Sequence, residues 1–293
     1  MNTDPSPFQP DSKGSGKALF SGSSSLFRFT IAAGLVVAIS LPLIRWLDRP
    51  ERIQCDAYIE APEGISLIAH AGGGLQQGDY SNSKEALDQS LSHGFELFEL
   101  DFNRTSDGAL AIGHDWTDQY RYWNRLGWGD WLTSFFFAPS ARSYEAATPG
   151  FGLTRLSLDT LLDWLRANPG RIVTDFKSGN IDGLAWIASR AGPLQHRFVP
   201  QIYSLSEYQA VRELGYDDII FTSYRLPPTA ELFSQIDQLD LFAITVPAAA
   251  VADAARVISK HRLFTHTINS PVTLPAAGYY TDCLIPAKSP DGI

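Results

Sequence analysis

The sequence contains little sulfur and no excess of positive charge. Two cysteines and one methionine occur in 293 residues, so the chain is not a small disulfide-rich domain, and no cysteine spacing typical of a metal site is present. Lysine and arginine total 23 against 32 aspartate and glutamate residues, which gives a formal net charge of -9. Proteins that bind the phosphate backbone of nucleic acids normally present a basic surface, so this balance argues against a nucleic-acid partner.

A long uncharged apolar run lies near the N-terminus. Residues 1–25 are rich in serine, glycine and proline, which predicts a disordered tail. The run itself, residues 29–44, predicts with its neighbours a single transmembrane anchor over residues 26–47, followed by a linker over residues 48–64. A cleaved signal peptide and a buried helix are the alternatives. Because a short N-terminal tail usually stays inside, the anchor predicts a main domain outside the cytoplasm, on the periplasmic or outer face.

From residue 65 to residue 293, apolar runs of strand length alternate with helical patterns. This alternation predicts one α/β domain, a parallel (β/α)8 TIM barrel, which commonly takes about 250 residues. The predicted strands are 66–69, 95–102, 171–177, 198–203, 218–224, 241–246, 263–269 and 279–285. The predicted helices are 83–93, 156–165, 205–214, 229–236 and 248–261, with the seventh helix reduced to residues 270–277 and the eighth missing.

Residues 116–152 do not fit this alternation. The segment is rich in tryptophan, tyrosine and phenylalanine, shows no clean period and is too long for a simple loop. We therefore predict an insertion on the face of the barrel that carries the active site. It could form the wall of a lipid pocket, enter the membrane interface, or only pack over the barrel.

Polar side chains gather at the expected ends of the first strands. His70 ends the first predicted strand and precedes a run of three glycines after Ala71. Glu99 and Asp101 share one face of the second strand because side chains alternate with period two. His114 follows a predicted return strand over residues 109–113. Since the carboxyl ends of parallel barrel strands meet at one face, we expect these side chains to converge there.

These motifs resemble those of the glycerophosphodiester phosphodiesterases in both residues and spacing. The matching segments are His70-Ala71-Gly72, Ser81-Asn82-Ser83, Glu99-Leu100-Asp101, Thr105-Ser106-Asp107-Gly108 and His114-Asp115. Two positions depart from the family pattern, because Ala71 replaces an arginine that would grip phosphate and Ser81 replaces a glutamate. The form of the motifs is similar to a bacterial branch that resembles the phosphatidylinositol-specific phospholipase C-like phosphodiesterases.

The resemblance implies a set of site residues. Asp175 and Lys177 stand where the family has an acid that completes the metal site and a lysine that contacts phosphate. The three acids Glu99, Asp101 and Asp175 offer oxygen donors, which suit one Mg²⁺ or Ca²⁺ better than zinc. A simple ion pair between Asp175 and Lys177 is the alternative reading of that strand end. Asn82, in the matched motifs, is expected to bind substrate. More weakly, the resemblance places the following pocket residues at later strand ends: Gln201, Tyr203, Tyr224, residues 266–269 with His266 as lining, and the pair Thr281 and Asp282.

The implied activity is hydrolysis of glycerophosphodiesters or lysophospholipid-type phosphodiesters. One imidazole must take a proton from the attacking hydroxyl and the other must give one to the departing alkoxide. Our hypothesis is that His70 is the base and His114 the acid. Two alternatives are a lyase of the sphingomyelinase D type, which releases a cyclic phosphate, and a non-catalytic membrane-tethered phosphoester-binding protein.

The two cysteines lie at opposite ends of the predicted barrel. Cys55 precedes the first strand and Cys283 lies in the last, and these strands are neighbours when a barrel closes. In an oxidising compartment they could form a disulfide that fastens the two ends. The alternative is a pair of free, buried thiols.

Overall fold

Eight parallel strands close into a barrel in this computed structural model. They are β1 (Ser66–Ala69), β2 (Leu97–Arg104), β3 (Arg171–Phe176), β4 (Phe198–Ile202), β5 (Ile220–Thr222), β6 (Ala243–Pro247), β7 (Arg262–His266) and β8 (Gly278–Thr281). Each strand pairs in parallel with the next, and β8 pairs with β1, so the sheet is closed. The predicted TIM barrel is confirmed.

The structure describes residues 53, 55, 57–116, 124–125, 138–146 and 148–287. The predicted tail over 1–25, the predicted anchor over 26–47, part of the linker and most of the insertion lie outside these ranges. Within them, no helix combines the length and the apolar character needed to span a bilayer.

Helices follow most of the barrel strands. They are α1 (Lys84–Ser92), α2 (Ala141–Ala146), α3 (Leu158–Ala167), α4 (Asn180–Ala191), α5 (Leu205–Glu213), α6 (Ala230–Ile236) and α7 (Val251–Ala254), with short 3₁₀ segments at His70–Gly72, Gly150–Gly152, Gly192–Arg197 and Ala248–Ala250. Several of these helices have an N-terminal side-chain cap. The Ser83 hydroxyl accepts a hydrogen bond from the Ala86 N–H, and Ser157 and Thr160 cap each other's backbone at the start of α3.

Three parts of the helix prediction were wrong. Helix α4 was not predicted at all; it starts after Gly179, which has a left-handed φ of 61°. The helix predicted over 248–261 is reduced to one 3₁₀ turn and the four residues of α7. The Asp237 carboxylate accepts hydrogen bonds from the backbone N–H groups of Ser259 and Lys260, and these bonds compete with helical ones. The reduced seventh helix predicted over 270–277 is also absent, because residues 267–277 contain no helix, and none occurs in the described residues after β8, 282–287.

The last predicted strand, 279–285, is interrupted. The Thr281 hydroxyl accepts hydrogen bonds from the N–H groups of Cys283 and Leu284, which turns the chain after β8. A two-residue strand, Leu284–Ile285, then pairs in parallel with Ile59–Glu60, a strand that was not predicted. Cys55 and Cys283 form a disulfide beside this pair. Of the two alternatives for the cysteines, the structure has the disulfide.

Three further short strands lie outside the barrel wall. Leu110–Ile112 returns antiparallel along the end of β2, as the sequence predicts, and delivers His114. Asn124–Arg125 and Thr148–Pro149 pair antiparallel within the range of the predicted insertion.

The core has two layers, which the alternation along β2 illustrates. Phe98, Leu100 and Phe102 pack into the large cluster between strands and helices, while Leu97 packs against the smaller cluster inside the barrel. Glu99 and Asp101 share the inward face with Leu97 and are buried, with 2% and 1% of their surface exposed. The outward phenylalanines, each contributing roughly 1.5–3 kcal/mol on burial, thereby fix the strand face on which the carboxylates are held.

Candidate active site

Three carboxylates meet at the carboxyl ends of β2 and β3. In the parallel register of these strands Asp101 lies directly opposite Asp175, and Glu99 lies two residues before Asp101 on the same face. One oxygen from each of the three residues lies within 4.8 Å of the others, and all three side chains are buried. The structure therefore brings together the three acids that the sequence analysis expected to share an ion.

Lys177 lies against this cluster of acids. Its Nζ is 2.6 Å from Asp101 Oδ1 and 2.8 Å from Asp175 Oδ2. Burial alone would lower the pKa of Lys177, but Asp101, Asp175 and Glu99 raise it, so the ammonium stays charged. Burial would likewise raise the pKa of Asp175, but Lys177 and a hydrogen bond from the Tyr203 hydroxyl lower it. Burial and the nearby charge of Asp101 raise the pKa of Glu99 to about 8.

The chemistry of these donors fits a hard divalent cation. Each of the three residues offers carboxylate oxygen, the ligand atom that Mg²⁺ and Ca²⁺ prefer. Buried carboxylates in mutual contact repel each other, and a divalent cation would relieve that repulsion. Hydrogen bonds from neighbouring groups orient two of these carboxylates. Ala71 N–H donates to Glu99 at 2.7 Å, and the Asn82 amide both donates to Asp101 Oδ2 at 2.8 Å and accepts from the Asp101 N–H at 2.9 Å.

His70 ends β1 and is oriented by Asp282. Its Nδ1 lies 2.9 Å from Asp282 Oδ1, and Asn269 in turn holds Asp282 through its amide, which donates to Oδ2 at 2.8 Å and accepts from the backbone N–H at 2.7 Å. Burial would lower the pKa of His70, but Asp282, Glu99 and Asp101 raise it to about 10. The sequence analysis placed Asp282 among the pocket positions but not as the partner of His70.

The chain turns sharply after His70 to leave room for the site. Ala71 takes a left-handed φ of 49°, and its N–H points at Glu99. At Gly73, a Cβ would lie 2.1 Å from the Ser90 hydroxyl oxygen, so no other residue fits between β1 and α1 without a shift. The glycine run noted in the sequence thus allows the chain after His70 to pack closely against α1.

His114 lies on the other side of an aromatic ring from His70. The Tyr80 ring meets both imidazoles edge-to-face, with centroid distances of 4.7 Å to His70 and 4.6 Å to His114. His114 Nδ1 lies 3.1 Å from Asp115 Oδ2, and a third of its side chain is exposed. The Asn103 amide donates to the carbonyls of Gly113 and His114, which fixes the backbone of this strand end. Tyr80 was not foreseen, because it belongs to a loop with left-handed residues and no regular pattern.

The structure brings most of the predicted pocket residues to the same mouth of the barrel. Asn82 supports Asp101, Tyr203 donates to Asp175, and the Tyr224 ring lies 5.8 Å from that of Tyr203. Gln201 differs, because it is buried inside the barrel, where its Oε1 accepts hydrogen bonds from Thr222 and Tyr280.

His266 also reaches the site. Its ring lies 6.2 Å from that of His70 and 5.4 Å from that of Tyr224. Burial and the charge of His70 lower the pKa of His266 to about 4, so its imidazole is neutral near pH 7. A neutral, packed ring agrees with the expected lining of the pocket.

Comparison with solved structures identifies the fold. No family model matches the chain, and no curated protein matches it. Solved structures do match. A glycerophosphodiester phosphodiesterase from Parabacteroides distasonis ATCC 8503 aligns with a TM-score of 0.56 and 14% identity over 75% of this chain and 93% of that chain. A glycerophosphodiester phosphodiesterase from Agrobacterium tumefaciens str. C58 aligns with a TM-score of 0.53 and 16% identity over 75% of this chain and 96% of that chain. The fold is that of the glycerophosphodiester phosphodiesterases.

Within this phosphodiesterase fold, the polar cluster occupies the face of the barrel where TIM-barrel enzymes carry their active sites. The two departures from the family motif, Ala71 and Ser81, are both buried, and the Ser81 hydroxyl lies 3.1 Å from that of Ser83. Neither position adds a positive charge to the site of this phosphodiesterase-like barrel.

Proposed function

We propose that this protein hydrolyses glycerophosphodiesters or lysophospholipid-type phosphodiesters in a metal-dependent reaction with His70 and His114 as the proton-transfer pair. The observation that carries the proposal is the convergence of three buried carboxylates with two imidazoles that contact one tyrosine ring. The phosphodiesterase fold supports it.

Glu99, Asp101 and Asp175 would hold one Mg²⁺ or Ca²⁺, which when bound neutralises the phosphoryl oxygens and orients the phosphodiester. Lys177, between two of these acids, is placed to contact a phosphoryl oxygen as well. The three acids supply negative charge for the metal ion, and Lys177 supplies positive charge for the phosphodiester anion.

His70 acts as the base in this proposal. Asp282 occupies its Nδ1, so Nε2 is the nitrogen that accepts a proton from the attacking hydroxyl. A divalent cation held by Glu99 and Asp101 would offset two of the charges that raise the pKa of His70 in the metal-free protein, and would so favour the neutral imidazole that a base requires. His114, paired with Asp115, donates a proton to the departing alkoxide. The attacking hydroxyl belongs to water, or to a hydroxyl next to the phosphate that first closes a cyclic phosphate.

Phosphorus NMR tests the proposal directly. Purified protein with Mg²⁺ or Ca²⁺ should convert glycerophosphocholine, glycerophosphoglycerol or a lysophospholipid to a phosphomonoester. A cyclic phosphate as the final product would indicate the lyase, and no turnover of any substrate in the panel would indicate the binding protein.

Substitution of the two histidines tests the mechanism. His70→Ala and His114→Ala should each lower kcat by about 10²–10⁴-fold, the usual contribution of general acid–base catalysis, with the fold intact by circular dichroism. His196→Ala is the control, because His196 is exposed and bonds the Pro193 carbonyl three residues before it. Normal activity in either His70→Ala or His114→Ala would exclude the mechanism.

We also propose that residues 26–47 anchor the enzyme in a membrane with the barrel outside the cytoplasm. A disulfide between Cys55 and Cys283 supports this location, since disulfides persist mainly in oxidising compartments. Membrane fractionation, with protease added to intact cells or spheroplasts, tests it. Recovery of the full-length chain in the soluble fraction would contradict the anchor.

A further inference from the structure

Arg225 places a positive charge beside the acidic cluster without pairing it to an acid. The residue follows β5 at the mouth of the barrel, and its guanidinium lies 3.9 Å from the centre of the Tyr203 ring and 5.5 Å from that of Tyr224. Its guanidinium also makes a long contact of 3.5 Å with the Tyr224 hydroxyl. Among the residues that the structure describes, no carboxylate forms an ion pair with it, and the side chain is exposed.

The position of Arg225 links it to the metal ligands through one side chain. The Tyr203 ring lies under the guanidinium, and the Tyr203 hydroxyl donates a hydrogen bond to Asp175. Lys177, the other cation of the site, is already in contact with both Asp101 and Asp175. Arg225 is therefore the cation at this side of the site whose charge is left for a ligand.

The Tyr203 ring beside Asp175 and the Arg225 guanidinium over it bear on which substrate head groups the site accepts. Exposed aromatic faces attract quaternary ammonium groups such as choline. Here the guanidinium covers the face of Tyr203, so a second cation would meet both a blocked ring and a like charge. An anionic group would meet a guanidinium, the side chain best shaped to bind carboxylate or phosphate oxygens in a bidentate manner.

Resting on the phosphodiesterase function proposed above, we propose that Arg225, with the Tyr224 hydroxyl beside it, forms a head-group subsite. It selects phosphodiesters whose alcohol group beyond the scissile phosphoryl carries a further anionic group, and it disfavours those with a cationic head group. The subsite lies on the β5 side of the carboxylate cluster, opposite the side that β1 and His70 occupy.

Three glycerophosphodiesters that differ in head-group charge test this subsite. Bis(glycerophospho)glycerol has an anionic head group, glycerophosphoglycerol a neutral one and glycerophosphocholine a cationic one. For the wild-type protein with Mg²⁺, kcat/KM should fall in that order, with about 10- to 100-fold between the first and the last, the range of one hydrogen bond to a charged group. Arg225→Gln should reduce the ratio between anionic and cationic substrates to below about threefold.

Arg190→Gln is the matched control. Arg190 is also an exposed arginine stacked on an aromatic ring, 4.3 Å from the centre of Trp186, but it lies on α4. Its substitution removes the same charge and should preserve the wild-type ratio. A wild-type preference for the choline compound, or an equal loss for all three substrates in Arg225→Gln, would overturn the subsite.

Binding separates this proposal from the activity itself. The same three compounds can be titrated by calorimetry into His114→Ala protein with Mg²⁺, where turnover is not needed. An affinity order of anionic, neutral, cationic supports the subsite, and any other order rejects it. Absence of hydrolysis by the wild-type protein would instead count against the phosphodiesterase function.

Discussion

The contact between His70 and Asp282 defines how one imidazole can act. The carboxylate accepts from Nδ1 and is itself held by Asn269, so the ring has a fixed orientation and a single nitrogen available for proton transfer. The pair also links β1 to β8, 212 residues apart in sequence. The orientation of His70, the base in the proposed mechanism, therefore depends on closure of the barrel.

Asp282→Asn should change the titration of His70. Asp282 raises the pKa of His70 toward about 10, so loss of its negative charge should lower that pKa by at least one unit in metal-free protein. Side-chain ¹⁵N NMR of the imidazoles measures it, and kcat should fall at least about tenfold as the orientation is lost. An unchanged His70 titration would show that Asp282 does not set its protonation.

Some of these residue contacts follow from the sequence and others do not. Alternation along β2 was sufficient to put Glu99 and Asp101 on one face, because period two is a property of every strand. That Asp282 reaches His70, and that Tyr80 lies between two imidazoles, depends on the register of distant strands and on loop torsions, which local pattern does not determine.

Helix α4 packs closely against β3 because Gly183 has no side chain. A Cβ at Gly183 would lie 2.0 Å from the Phe176 ring, and Phe176 is itself stacked on Phe102 at a centroid distance of 5.0 Å. The helix can approach the strand closely only because residue 183 is glycine. This strand continues into Lys177, so the packing also holds the lysine against the acidic cluster.

Gly183→Ala should destabilise the protein despite improving helix propensity. Alanine gains about 1 kcal/mol in a helix interior, but overpacking of a tight core costs about 1–3 kcal/mol and here meets two stacked rings, so the clash should dominate. Urea unfolding measures the change, and affinity for Mg²⁺ should weaken as Phe176 shifts. Ser189→Ala on the exposed side of the same helix should alter the free energy of unfolding by less than about 0.5 kcal/mol. A more stable Gly183→Ala protein would contradict this packing account.

The helix predictions failed where tertiary contacts overrode local preference. The alanine-rich stretch after β6 favours helix, yet Asp237 captures the backbone N–H groups of Ser259 and Lys260 from 22 and 23 residues away. Helix α4 was missed for the opposite reason. Gly183 lowers the helix propensity of this segment, but its lack of a side chain allows the helix to pack against Phe176. Both errors concern contacts between elements, whereas the eight strands, whose apolar runs are local, were predicted.

The stability of the whole metal-free protein should depend on pH through its buried site. Folding raises the pKa of His70 from 6.5 to about 10, so its stabilising contribution is complete below pH 6.5 and is lost as the pH rises through about 10. Folding raises the pKa of Glu99 from 4.5 to about 8, so the folded state loses stability as the pH rises between these values. Both groups act in the same direction.

We therefore expect the Tm of protein treated with EDTA to fall by several degrees between pH 6 and pH 9. A cation binds the ionised carboxylates, so added Mg²⁺ or Ca²⁺ should raise the Tm more at pH 9 than at pH 6. Differential scanning calorimetry at the two pH values, with Asp101→Asn as the variant that weakens metal binding, checks both expectations. A larger metal effect at pH 6 would show that these groups do not control binding.

The disulfide closes almost the entire barrel into one covalent loop. Cys55 and Cys283 are separated by 228 residues, and their bond lies beside the parallel pair of Ile59–Glu60 with Leu284–Ile285. The double variant Cys55→Ser/Cys283→Ser should lower the free energy of unfolding by about 2–5 kcal/mol. Urea unfolding with and without dithiothreitol provides the control, since the reductant should destabilise the wild type and leave the double variant unaffected. Equal stability of the two proteins would mean that the crosslink contributes nothing.

The place of this crosslink in the chain has a practical consequence for anyone producing the protein. Cys283 is bonded through the backbone to Asp282, so the disulfide lies one peptide unit from the carboxylate that orients His70. Material made in the reducing interior of a recombinant host should contain a less firmly held Asp282, and in an assay of the proposed activity it should show a lower rate than the oxidised protein. Export during expression, or oxidative refolding followed by a count of free thiols, should precede any measurement of specific activity.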